Sequence, residues 1–152
     1  MANYIICDID GTIAESKERV EAFLSEEKDW EQFYENSTND KPVDDIIGIL
    51  QACTVGHFVA GVPVEIVFIT GRPEKYRGIT MQWLSEQRLI DRLVLMRADG
   101  DFRPDHVVKR ELFEKNFGPK DNILFVLEDR TSCVKMWRDL GLTCLQVRDG
   151  DY

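Results

Sequence analysis

Five short apolar runs punctuate this 152-residue chain, and segments with helical spacing lie between them. The runs are YIICDI (4–9), VEIVFIT (64–70), LVLMR (93–97), NILFVLE (122–128) and TCLQV (143–147). Each reads as a short buried strand, because a continuous run of Ile, Val, Leu and Phe suits a strand covered on both faces. Val20, Phe23, Leu24 and then Trp30, Phe33, Tyr34 mark one or two helices after Ser16. Val43, Ile46, Ile47 and Leu50 mark another, entered at Pro42 with Asp44 and Asp45 in its first turn, where the helix dipole favours acids. Tyr76, Ile79, Trp83 and Leu84 follow Pro73, and Val108, Leu112 and Phe113 follow Pro104. Val134, Met136, Trp137 and Leu140 end at Gly141, placed as a C′ residue. Strands alternating with helices predict an α/β fold, a mostly parallel five-stranded sheet with helices on both faces.

No repeat, low-complexity tract or Gly/Ser/Pro-rich linker divides the chain, so residues 1–152 read as a single domain with a real core. No apolar stretch approaches the roughly 18–20 residues of a membrane span. Asp8 and Asp10 interrupt the N-terminus too early for a signal peptide, so a cytoplasmic location is expected. Cys7, Cys53, Cys133 and Cys144 are scattered, with no C-x-x-C pair, and read as reduced thiols, most of them in the core. His57 and His106 fit no zinc motif. The formal net charge is −9. Residues 1–66 carry 4 basic and 14 acidic side chains, whereas residues 67–110 carry 9 basic and 6 acidic. That distribution excludes a broad basic face for long duplex but leaves room to hold one phosphate or a nucleic-acid end.

In open parallel sheets ligands sit at the carboxyl ends of strands, so the polar residues there are the candidates. Asp8 and Asp10 end the first run, with Gly11 and Thr12 behind them to turn the backbone. Residues i and i+2 of an extended strand point the same way, so the two carboxylates would share a site suited to a hard cation such as Mg²⁺. An Asx-type turn without chemistry explains D-x-D-G equally well on its own. Thr70, Gly71 and Arg72 end the second run and can hold phosphate oxygens through a hydroxyl, backbone N–H groups and a guanidinium. Lys109 lies in the helix before the fourth run and can offer a point charge to a phosphoryl group. Glu128 and Asp129 end the fourth run and can complete an oxygen shell around the cation. Taken singly, the last three segments are better explained by ordinary helix caps and solvated charges; their common placement joins them.

With these residues in that order, the chain resembles the haloacid dehalogenase (HAD) superfamily of phosphotransferases. The matching elements are IICDIDGT around Asp8 and Asp10, ITGR around Thr70, Lys109, and Glu128–Asp129. It is further similar to the 3′-phosphatase domain of phage polynucleotide kinase. The shared stretches are DIDGT (8–12), ITGR (69–72), KYRGITMQWL (75–84), LVLM (93–96), GDFRPDHVVKRELF (100–113), EDRTSCVKMWRDLG (128–141) and CLQVRDGDY (144–152). The resemblance implies a Rossmann-like three-layer sandwich without a large cap domain. It also implies a Mg²⁺-dependent phosphomonoesterase. Asp8 would be the nucleophile and Asp10 the general acid and then base, with Thr70 and Lys109 on the phosphoryl oxygens. Thr12, Gly71, Arg72, Arg103 and Asp105 would bind substrate or support the site. Asp8, Asp10 (through its backbone carbonyl), Glu128 and Asp129 would hold the metal. Glu128 departs from the family's double aspartate, and no G-x-x-x-x-G-K-[ST] loop is present, so no kinase half is expected in this chain.

The acid role requires Asp10 to hold a proton at working pH, hence a raised pKa from burial or neighbouring carboxylates. Residues 13–41 leave room for a small helical flap at most. Trp30, Phe33 and Tyr34 could lean over the site, with core packing expected for at least two of them. Such an open site suits a 3′-phosphorylated nucleic-acid end or a nucleotide. The alternatives are a phosphatase of free nucleoside monophosphates or other small phosphoesters, and a receiver-type phospho-signalling module. In the last, the accepting aspartate would end the third strand, where LVLMR has none.

Overall fold

A computed structural model describes residues 3–25, 28–54, 58–59 and 61–150. His57 lies outside them. The five apolar runs form parallel strands β1 (Asn3–Cys7), β2 (Val62–Pro73), β3 (Leu93–Arg97), β4 (Asn122–Arg130) and β5 (Cys144–Gly150). Their order in the sheet is β3-β2-β1-β4-β5. The chain therefore builds outward from β1 in one direction, returns past it after β3, and builds outward in the other. That reversal opens a crevice at the carboxyl ends of β1 and β4. A two-residue strand, Phe58–Val59, adds antiparallel to the start of β2. Another short ribbon joins Ala14–Glu15 to Lys41–Pro42.

Strand alternation sorts the core into two layers. Ile5 and Cys7 face one side, with Ile47 and Leu50 of helix α3 (Asp44–Thr54) and Trp83 and Leu84 of α4 (Arg77–Glu86). Ile6 faces the other, with Val67, Ile69 and Val126 and with Cys133, Val134 and Trp137 of α6 (Thr131–Asp139). Helix α5 (Asp105–Asn116) adds Leu112 and Phe113 to that second layer. This is the three-layer α/β sandwich expected. The edge strands are less covered than a continuous apolar run suggests: Leu93 and Leu145 are about half exposed, because each edge has sheet on one side only. All four cysteines are free, three of them buried and Cys53 partly so. Gly141 has φ +80°, as a C′ glycine after α6 requires.

Two short helices, α1 (Lys17–Ser25) and α2 (Trp30–Glu35), make the small flap; no large cap is present among the described residues. Asp29 caps α2, its Oδ1 accepting from the N–H groups of Glu31 and Gln32 at 2.9 and 3.2 Å. No residue of α2 is buried, and Arg19 is the buried residue of α1. The flap is thus tied down by an arginine rather than by an apolar stripe. The expectation that at least two of Trp30, Phe33 and Tyr34 pack in the core is overturned: all three line the crevice instead. Among the described residues no helix is long and apolar enough to cross a membrane.

Candidate active site

Strand β1 stops at Cys7, and the Asp8 N–H still donates to the Leu127 carbonyl of β4 at 3.0 Å. Gly11, at φ +80°, then turns the chain so that the N–H groups of Thr12, Ile13 and Ala14 all point at the Ile9 carbonyl. The two aspartates consequently part company. Asp8 faces Lys109, whose Nζ donates to Asp8 Oδ1 and to Glu128 Oε2, each at 2.7 Å. Glu128 Oε1 accepts from the backbone N–H groups of Asp129 and Arg130. The Thr12 hydroxyl lies 3.3 Å from Asp8 Oδ2 and 3.4 Å from Asp129 Oδ1, bracing the two acids. Oxygens of Asp8, Glu128 and Asp129 all lie within 4.8 Å of one another, and all three residues are buried.

Three buried carboxylates around one ammonium carry excess negative charge. Burial and then the Glu128 charge push the Asp8 carboxyl up to about 7, against the pull of Lys109. Burial raises Glu128 as well, with Lys109 opposing it. On Lys109 burial works against the charged form, but Asp8 and Glu128 outweigh it and hold the ammonium charged. An all-oxygen, acid-rich donor set of this kind fits a hard divalent cation, and the fit is chemical as well as spatial.

Asp10 sits in a different environment. Arg72 grips it through both oxygens, Nε to Oδ2 at 2.9 Å and Nη2 to Oδ1 at 2.7 Å. Arg19 adds a third bond to Oδ1 at 2.6 Å and also grips Asp40 through two bonds. Burial would raise the Asp10 pKa, but the two guanidiniums overcome it and hold the carboxyl well below the usual carboxylate range. The expected raised pKa is therefore overturned. The neighbours that decide it are arginines 9 and 62 residues away in sequence rather than the other acids. The Asp10 carboxylate also stands apart from the carboxylate cluster of Asp8, Glu128 and Asp129.

The remaining candidates fall into two groups. Gly71, Arg103, Asp105 and Lys109 line the crevice together with Asp8, Asp10, Glu128 and Asp129. Thr12, Thr70 and Arg72 are buried behind it. The Thr70 hydroxyl accepts from the Arg72 N–H at 3.2 Å, and Arg72 Nη1 donates to Thr80. Arg72, expected to grip phosphate, is spent on Asp10 because its fork matches a carboxylate so well. Sequence reasoning missed Arg19, Asp40, Arg97 and Arg130. Arg97 ends β3 on the same sheet edge, pairs with Asp105, and donates to the Gly71 carbonyl at 2.8 Å. Arg130 holds the other Asp105 oxygen at 2.8 Å. The strand-end question, asked of LVLMR for a cation as well as an acid, would have found Arg97. Nothing in the helical spacing of 17–25 singles out Arg19.

Asp105 explains why residue 71 is glycine. A Cβ there would lie 2.7 Å from Asp105 Oδ1, a contact that cannot be relieved while Arg97 and Arg130 pin the carboxylate. Gly71→Ala is expected to cost about 1–3 kcal/mol in urea unfolding, with reduced phosphatase activity, and Gly71→Ala combined with Asp105→Ala to cost less than the two single variants together. A Gly71→Ala single variant as stable as the parent would contradict this packing.

A buried aspartate ending the central strand, met by a lysine and an acidic pair from the neighbouring strand, defines on this sheet a phosphatase of the HAD type. The fold is that of the class C acid phosphatase from Bacillus anthracis with tungstate bound, at TM-score 0.68 and 14% identity over 99% of this chain and 68% of that one. The family model for the polynucleotide kinase PNKP phosphatase domain matches residues 2–152, and the chain belongs to that family. It is similar to a chain in the structure of the Pnkp1/Rnl/Hen1 RNA repair complex, at TM-score 0.83 and 27% identity over 100% of this chain. It is 28% identical over 139 residues to a protein of Autographa californica nuclear polyhedrosis virus assigned as a bifunctional polynucleotide kinase/RNA ligase. That match covers 91% of this chain. The chain spans 44% of the first of these relatives and 18% of the second.

Proposed function

We propose that residues 1–152 form one domain that removes the phosphate from the 3′ end of a nucleic acid through an aspartyl-phosphate on Asp8. The observation that carries the reading is the buried Asp8–Lys109–Glu128 chain at the sheet's switch point, in a member of the polynucleotide kinase phosphatase family. Asp8 attacks phosphorus, and Lys109, already 2.7 Å from Asp8, holds it oriented and offsets charge on the phosphoryl group. Asp10 carries the proton traffic. In its arginine clamp it is ionised at neutral pH, the state that takes a proton from the water attacking the aspartyl-phosphate. Its acid role towards the leaving alkoxide requires substrate entry to loosen that clamp, so that Asp10 takes a proton from solvent before giving it up. Thr70 and Arg72 support this frame from behind, and Asp105 with Arg97 shapes the entrance beside Gly71 and Arg103.

Mg²⁺ suits the carboxylate cluster, where it would supply the positive charge that lets an anionic nucleophile meet an anionic phosphate. Asp8, Glu128 and Asp129 would hold it, directly or through water, with the Asp10 carbonyl as the family resemblance implies. Because burial and the Glu128 charge push the Asp8 carboxyl up to about 7, Asp8 would give up a proton on taking a cation. Titration calorimetry at pH 7 in buffers of different ionisation enthalpy is expected to show release of about half a proton per Mg²⁺, with affinity rising as pH passes 7. No proton release would contradict the assignment of Asp8 as a ligand.

The substrate is tested by a panel with and without Mg²⁺: a 3′-phosphorylated oligonucleotide against 3′- and 5′-mononucleotides. The reading expects the oligonucleotide to lead and metal removal to stop turnover. A wide advantage for mononucleotides would move the protein to the free-nucleotide alternative, which the net charge of −9 favours.

A further inference from the structure

The cavity that holds Asp8, about 690 Å³, has a second wall that phosphate chemistry does not use. Phe23, Trp30, Phe33 and Tyr34 of the flap line it, together with Tyr76 from the turn after β2. The Trp30 and Tyr34 rings are stacked, their centroids 6.0 Å and their planes 23° apart, and Tyr34 continues onto Tyr76 at 4.9 Å. Trp30 nevertheless remains 53% exposed. From the loop between β3 and α5, Phe102 lines the same cavity and is 90% exposed.

That loop is tied down. Arg97 donates to the Asp101 and Arg103 carbonyls at 2.9 and 2.6 Å and pairs with Asp105, while Arg103 pairs with Asp101 and Glu111. A large ring is therefore held out in water beside the reaction site by a braced backbone. A phosphate backbone is a poor occupant for the facing wall, because Val20, Phe23, Leu24, Trp30, Phe33 and Tyr34 supply it with apolar and aromatic groups and no cation. Apolar π faces of this kind suit a flat, uncharged heterocycle. The cavity's size accepts a nucleoside beyond the phosphate.

We propose that Phe102 and the flap residues Trp30 and Tyr34 form a nucleobase-stacking subsite, which takes the unpaired terminal base of a single-stranded nucleic-acid end while its phosphate lies at Asp8. The inference rests on the nucleic-acid-end reading above and names the form of the substrate. An unpaired base is required because a paired terminal base keeps one face on the next pair and its edge on the opposite strand, leaving it unable to enter between rings on two walls.

The test compares kcat/KM on three 3′-phosphorylated substrates: a single strand ending in adenine, the same strand ending in an abasic sugar, and a blunt duplex ending in adenine. The parent protein is expected to favour the adenine single strand over the abasic one by about 5- to 100-fold, mostly through KM. Phe102→Ala and Trp30→Ala should each pull that ratio towards one, and Phe102→Tyr should keep it. The blunt duplex should be the poorer substrate. A ratio unmoved by Phe102→Ala, or a duplex turned over as fast as the single strand, overturns the subsite while leaving the nucleic-acid reading standing. Equal turnover of glycerol 3-phosphate and both single strands overturns the reading and the subsite together.

Discussion

Asp8→Asn is expected to abolish turnover while leaving the fold intact. Asparagine keeps an acceptor oxygen for the Lys109 ammonium, which lies 2.7 Å from Asp8 Oδ1. It removes one of three crowded, buried carboxylates and with it the repulsion from Glu128 that helps push Asp8 up to about 7. Stability should hold or rise. The proposed nucleophile is lost, and with it covalent catalysis, so kcat should fall on the order of 10⁴-fold or more. Paired steady-state kinetics and thermal unfolding check both halves. Residual turnover within tenfold of the parent would contradict the role of Asp8, and a collapsed fold would contradict the electrostatic account of its surroundings.

Lys109→Met is expected to produce the largest loss of stability. The ammonium is buried between Asp8 and Glu128, and an apolar replacement leaves two buried carboxylates facing each other. Breaking a buried ion pair from one side costs about 3–5 kcal/mol. The cost depends on pH in a defined direction. Both acids already titrate above their ordinary values, and without the lysine they move higher still. At pH 5 they take up protons and the penalty shrinks; above pH 7 they ionise and it is felt in full. Urea unfolding at the two pH values should show the difference, and Glu128→Gln added to Lys109→Met should recover part of the loss. A pH-independent penalty would mean that packing, and not charge, holds this region.

Much of this was legible because a parallel strand announces itself twice. Its apolar run fixes its place in the sheet, and the polar residue ending the run must emerge at the sheet's carboxyl edge. That logic brings Asp8 at the end of β1 to Glu128 and Asp129 at the end of β4, and Lys109 meets them from α5. Asp10 illustrates where such reasoning stops. Its spacing from Asp8 suggests a shared site, but β1 ends at Cys7 and the turn at Gly11 sends it towards Arg19 and Arg72. Its charge state depends on two cations that reach it only through tertiary structure. The flap aromatics show the same limit. Trp30, Phe33 and Tyr34 have the spacing of a core-facing helix, yet α2 is anchored through Arg19 and its rings face the cavity.

The proposed nucleophile can be caught directly. Substrate mixed with protein is quenched within a turnover, the acyl-phosphate is reduced with borohydride, and the peptide spanning residues 4–17 is sequenced by mass spectrometry. Homoserine at position 8, absent when substrate is omitted, is the predicted result. Turnover with no reduced residue at position 8, or with reduction at position 10 instead, would contradict a phosphorylated Asp8.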